Sequence, residues 1–173
     1  EDIVASLNGV YTSLTQSYVA DNYHYFTDVR ANATVVTNSG ANSGIPYQFY
    51  NYTLTEENVY VYNRYSQLYK IISRANTLFA HLGDVSYATP SARDTYEAEA
   101  RFLRALSYYW LVTEWGDVPL VLKVLESTEE VRANNYRRPK AEIYQAIFDD
   151  LKYVTESPLL DVQPASACGK VSK

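Results

Sequence analysis

The sequence predicts an all-α protein, and three observations carry that reading. Residues 97–122, EAEARFLRALSYYWLVTEWGDVPLVL, read as one long helix that is apolar on most of its circumference. Three further segments repeat apolar residues at helical spacing between clear start and stop residues. A forty-residue break, Gln16 to Thr55, separates the first two helices and is dense in tyrosine and asparagine.

The long helix is the central one. With Ala98 at zero and a 100° step, Phe102, Ala105, Tyr109 and Val112 fall within about 40° of it, and Leu106 lies near 80°. Leu103, Trp110 and Leu111 cover much of the back, leaving Glu97, Arg104, Ser107 and Glu114 as a narrow polar strip. A helix this apolar has to be enclosed by neighbours. Ser91 is placed to cap its start after Pro90. Trp115 ends it, Gly116 supplies a left-handed C-terminal cap, and Pro119 prevents resumption.

The first helix spans about Ile3 to Thr15, with Ile3, Val4, Leu7, Val10, Tyr11 and Leu14 on its apolar side. The second runs from about Glu56 to Leu82. Thr53 and Glu56 have capping-box spacing, Thr55 is an alternative N-cap, and Gly83 marks the stop. Its buried face is Tyr65, Leu68, Tyr69, Ile72, Ala75, Phe79 and Leu82. The fourth takes Pro139 as its first residue and ends before Pro158, burying Ile143, Ala146, Ile147, Leu151 and Val154. Leu120–Arg137 reads as an extended apolar piece followed by a charged surface loop.

Composition narrows function. The 173 residues carry a net charge of −5, and the densest cationic cluster (Arg137, Arg138, Lys140) reads as a solvated turn before a helix, so nucleic acid is a poor partner. No apolar run approaches the ~20 residues of a membrane span. The single cysteine, Cys168, has neither a partner for a disulfide nor metal-ligand spacing around it. His24 and His81 stand in different elements with no metal-binding spacing, so no metal and no cofactor is expected. Glu97 and Arg101 have the i, i+4 spacing of an ion pair. Asp149 and Asp150 diverge by about 100° on a helix, unlike a catalytic carboxylate pair. Phosphate loops and nucleophile elbows are absent, and no enzyme is expected. Asn32-Ala33-Thr34 and Asn51-Tyr52-Thr53 match glycosylation sequons, a short pattern with little weight.

The long break holds Tyr18, Tyr23, Tyr25, Tyr47, Tyr50 and Tyr52 beside Asn22, Asn32, Asn38, Asn42 and Asn51. That composition is too aromatic and too weakly charged for disorder, so the segment is expected to fold onto the helices. It also suits sugars: a pyranose lays its C–H face on an aromatic ring and offers hydroxyls to amides and hydroxyls. The candidate ligand contacts are Tyr47, Tyr50, Tyr52, Tyr23, Tyr25 and Asp28. If Tyr47–Tyr52 were a strand, Tyr50 and Tyr52 would share one face and Phe49 the other. The competing reading is that these rings seal the helix stack. Asp28 and Arg30 either pair locally or bond hydroxyls.

The motif FLRA, an aromatic pair, a second aromatic and GDVPLV resembles the RagB/SusD family of nutrient-binding outer-membrane lipoproteins of Bacteroidetes. Asn8-Gly9-Val10-Tyr11, Leu68-Tyr69-Lys70-Ile71-Ile72 with Ala75-Asn76, Arg138–Tyr144 and Asp149-Asp150-Leu151 follow in the family's order. Gly169–Lys173 resembles the lead into a further helix. The resemblance covers most of the chain outside residues 17–55. It implies a tetratricopeptide-like helical stack, although periodicity in this sequence shows only weak self-similarity. It also implies that residues 1–173 are the N-terminal helical part of a SusD-like domain, with 16–55 inserted and the C-terminal portion of the family fold absent. The implied role is binding of glycan or oligosaccharide, without catalysis, and its delivery to a SusC-like TonB-dependent transporter. The implied location is the cell surface, on the outer membrane, through a lipid anchor outside this chain. A helical-repeat scaffold for a protein partner, or a peptide-binding member of the same family, are the alternatives.

Overall fold

The structure is a computed structural model and describes residues 2–159, 161–167 and 169–173. The lone thiol expected at Cys168 lies outside the described residues. Every regular element among them is helical: α1 (Ile3–Leu14), α2 (Tyr47–Tyr50), α3 (Val59–His81), α4 (Ala92–Trp115), α5 (Thr128–Asn134) and α6 (Lys140–Glu156). Shorter helical turns occur at Tyr25–Val29, Ala41–Gly44 and Ala165–Ala167. α4 packs on α1, α3 and α6, and α1 packs on α3. The successive long helices α1, α3, α4 and α6 run antiparallel, each to the next. Arg74 of α3 donates to the Gly9 carbonyl of α1, Tyr65 near the start of α3 meets Trp115 at the end of α4, and Asp117 just after α4 caps the start of α6. This is the tetratricopeptide-like helical stack that the family resemblance implies.

Asp2 starts α1, its Oδ1 accepting from the Val4 and Ala5 amides at 3.0 and 3.3 Å. Ile3, Leu7 and Val10 are buried as expected, whereas Val4 is 38% exposed. α3 starts three to five residues later than its capping signals suggest. Asn58, not Thr53 or Thr55, is the N-cap, accepting from the Tyr60 and Val61 amides. The same Asn58 amide donates to the Ile45 carbonyl and to Gln48 Oε1. The cap is therefore chosen by a tertiary contact with the segment before it, which no local spacing encodes.

α4 has the predicted extent, but two details differ. Ser91 stands at the cap position without a capping side-chain bond. Gly116 takes φ +75°, ψ −119°, outside the left-handed helical well and in a region that a Cβ disfavours. More important, the polar strip is not a solvated face. Glu97, Arg104 and Ser107 are buried, and so is the side chain of Glu114, while Tyr109, placed on the apolar face, is 50% exposed.

Those charges are satisfied within the stack. Arg104 donates from Nε and Nη2 to the two oxygens of Asp150, both at 2.8 Å, and from Nη1 to Asn76 Oδ1 at 2.7 Å. Arg101 bridges Asp150 and Glu97, so the predicted Glu97–Arg101 pair exists as part of a larger network. Charge buried this way is tolerated because each group has a partner.

The segment after α4 is held by side chains instead of a sheet. Tyr69 Oη donates to the Pro119 carbonyl at 2.6 Å. Tyr108 Oη donates to the Val121 carbonyl and accepts from the Val121 amide. Asn76 donates to the Val121 and Lys123 carbonyls, and Arg104 to that of Leu122. The charged loop expected beyond it contains α5, which Ser127 caps by accepting from the Glu130 amide. One antiparallel bridge, Val118 to Arg138, closes this connection. Pro139 lies just ahead of α6, not at its first position, and the Lys140 amide is capped by Asp117 Oδ1 at 2.9 Å.

Candidate functional site: the aromatic insertion

The insertion folds onto the stack as its composition suggests. Phe26, Val29 and Phe49 are buried together, with Tyr25, Tyr50, Tyr60 and Trp115 packed around them. Ring contacts run from Tyr25 to Phe49, Phe49 to Phe26, and Phe26 to Trp115, with centroids 5.7, 4.9 and 6.2 Å apart. Offset and edge contacts of this kind add to the area buried.

Arg64 lies under this layer with no solvent exposure. Its Nε and Nη2 each donate to a different oxygen of Glu114 at 2.6 Å. Its Nη1 donates to the Tyr18 and Val19 carbonyls at 3.0 and 3.3 Å. The guanidinium carbon is 4.9 Å from the ring centroids of Tyr23 and Phe26 and 5.4 Å from that of Trp110. One cation thus joins α3 and α4 to the first half of the insertion.

Of the six candidate residues, Tyr25 lines an open basin of about 490 Å³, shared with His24, Thr34, Val36, Thr37 and Asn38. The His24 and Tyr25 rings lie 4.0 Å apart at 39°, and burial pushes the Tyr25 phenol upward in pKa, with Tyr60 adding to the effect. Tyr23 faces Arg64 and Trp110 instead. Tyr47 and Tyr50 contact each other at 5.6 Å on a helical turn, so the strand geometry does not occur. Phe49 points inward as expected, but through helical geometry. Tyr52 is 60% exposed at φ +58° and donates to the Arg30 carbonyl at 2.8 Å. Asp28 is exposed, its carbonyl accepting from the Ala33 amide, and no ion pair joins it to Arg30 among the described residues.

Sequence reasoning missed His24, Thr34, Thr37 and Asn38 as basin residues, and Arg64 as their support. A charge at Arg64 gives no sign of burial by itself. Glu114, alone between apolar and aromatic residues of α4, was the available hint. Within the described residues no cluster of His, Cys, Asp and Glu is arranged to hold a metal ion, and no helix is long and apolar enough to cross a membrane. The basin lining combines the His24 and Tyr25 rings and the hydroxyl and amide side chains of Thr34, Thr37 and Asn38 with the apolar Val29, Val35, Val36, Ala41 and Pro46.

The described residues thus form an antiparallel helical stack carrying a folded aromatic insertion. The chain belongs to the SusD-like family described as starch-binding, associating with the outer membrane, whose model matches residues 2–160. It is similar to SusD-like protein P2 of Formosa agariphila, with 29% identity over 156 residues, which are 90% of this chain and 30% of that protein. SusD-like protein P25 of the same organism is 29% identical over 130 residues, 71% of this chain and 24% of its own length. The chain thus spans about a third or less of these relatives. Among solved structures, a laminarin-binding SusD-like protein superposes with a TM-score of 0.82 and 26% identity, over 99% of this chain and 36% of that one. A SusD superfamily protein from Parabacteroides distasonis, at 24% identity, 98% and 36% coverage and a TM-score of 0.76, shares the fold.

Proposed function

We propose that this chain is the helical, ligand-receiving part of a cell-surface glycan-binding lipoprotein that hands oligosaccharide to a SusC-like TonB-dependent transporter. The observation that carries the reading is the His24–Tyr25 ring pair set at a basin rimmed by Thr34, Thr37 and Asn38. The rings supply contact area at low entropic cost, and the rim supplies the hydrogen bonds that orient a sugar. Ligand is held and released without bonds being made or broken, and a lipid anchor outside this chain keeps the protein on the outer membrane. Tyr25, Tyr52, Tyr47, Tyr50, Tyr23 and Asp28 remain the proposed contacts, with Tyr25 and the exposed Tyr52 foremost.

Calorimetry and affinity electrophoresis against a polysaccharide panel test this, with laminarin first because a similar protein is laminarin-binding. Tyr25→Ala should weaken binding about tenfold, the scale of one lost stacking contact. No binding to any glycan ends the reading. A second reading, a docking surface for a protein partner, is favoured by an apolar hollow of about 170 Å³ between Tyr65, Tyr69, Pro119, Leu125 and Val131. Retained peptide binding with no glycan binding would support it.

A further inference from the structure

We propose that Arg64 is the positioning residue of the basin: it fixes the ligand-facing shape of the insertion by gripping the residues on both sides of His24 and Tyr25. This rests on the glycan reading for its functional consequence, though not for the grip itself. Tyr23 and Phe26 bracket the two basin rings in sequence, and the rings of both lie 4.9 Å from the Arg64 guanidinium. The same group takes the Tyr18 and Val19 carbonyls, six and five residues ahead of His24. With the half-exposed Tyr23 ring and the buried Phe26 ring both laid against the cation, His24 and Tyr25 are left to wall the basin.

The choice of an arginine supports a positioning role. A buried ion pair is seldom the most stable filling for a core, and apolar residues of similar volume often do as well or better. What an apolar filling cannot do is hold two specific carbonyls and two ring faces in register. A planar guanidinium with Nε and Nη2 committed to Glu114 points Nη1 in one direction only, toward Tyr18 and Val19. Specific placement of the insertion is what this pair adds to a stack already closed by Leu68, Ile72, Leu103 and Leu111.

The test uses the full chain with two variants, Arg64→Met combined with Glu114→Leu, and Arg64→Lys alone. Melting, amide hydrogen exchange and laminarin affinity are measured on each. The double variant should keep α3 and α4 as protected as in the parent, because its core stays filled. Amides of residues 18–31 should exchange about tenfold faster, and laminarin should bind about tenfold more weakly, as expected when a preorganised site has to be reordered on binding. Arg64→Lys keeps the charge but loses the fork, and should fall between the two. Unchanged exchange and unchanged affinity in the double variant overturn the proposal. If the double variant does not fold, parent-like exchange in Arg64→Lys overturns it equally. If the parent binds no glycan, the functional reading fails, while the exchange data still decide whether Arg64 grips the insertion.

Discussion

Arg104 and Asp150 meet through two parallel hydrogen bonds, Nε to Oδ2 and Nη2 to Oδ1, each 2.8 Å, in the seam between α4 and α6. Their side chains are 6% and 3% exposed. Asp150 also receives Arg101, and Arg104 also reaches Asn76 and the Leu122 carbonyl, so one carboxylate anchors three parts of the chain.

Removing that carboxylate strands a buried cation. Asp150→Asn should therefore destabilise the protein by about 3–5 kcal/mol in urea denaturation. Replacing Arg104 by Met together with Asp150 by Leu should cost clearly less than Asp150→Asn alone. An equal cost would mean that the ion pair is not the source of the loss.

Tyr108 fastens the segment after α4. Its hydroxyl is both donor and acceptor for Val121, and the residue is 1% exposed. Tyr108→Phe should lose about 1–2 kcal/mol, chiefly because the half-buried Val121 amide is left without its Tyr108 partner. Hydrogen exchange at Val121 is the direct readout, and an unchanged rate would remove this explanation.

The same phenol predicts an alkaline limit. Burial raises the Tyr108 pKa well above the ordinary 10.0, and burial does the same for Tyr11 and Tyr69. The fold holds the neutral form, so its stability is intact below the unfolded pKa and falls as pH rises beyond it. Tyr108 removes up to about 1.4 kcal/mol per pH unit above pH ~10, and the more exposed Tyr11 and Tyr69 remove less because solvent screens them. Denaturation midpoints measured from pH 8 to 12 should show this decline, with a shallower slope in Tyr108→Phe.

Gly116 tests a purely backbone effect. A Cβ there meets nothing within 4 Å, yet φ is +75°. Gly116→Ala should cost about 1–3 kcal/mol through backbone strain alone, read as a lower melting temperature with an unchanged helical signal. A neutral result would show that the turn relaxes into another conformation.

A last expectation concerns chemistry. If the proposed binding role is right, the chain incubated with laminarin, starch or xyloglucan should release no reducing sugar. Measurable turnover would contradict the binding role.

The helices were legible because burying an apolar face leaves a periodic trace along the chain. Ile3, Leu7 and Val10, then Leu68, Ile72 and Ala75, then Ile143, Ala146 and Ile147 show it, and all are buried. Charges leave no such trace. Arg64, Arg104 and Asp150 read as ordinary surface residues until another helix brings their partners across 46 to 50 positions of sequence. The insertion shows the same division: its tyrosines predicted folding onto the stack, but not which of them face solvent.

By itself, the sequence determined the number and approximate placement of the long helices, the enclosure of α4, and an aromatic insertion too apolar to stay disordered. Those properties follow from local periodicity and composition, which act within a few turns of chain. Only the tertiary structure decided that Asn58 caps α3, that the polar strip of α4 is buried in ion pairs, and that His24 and Tyr25 wall the basin while Tyr23 and Phe26 turn onto Arg64. Each of those outcomes depends on which distant group arrives to satisfy a buried donor, acceptor or charge, and that is set by packing.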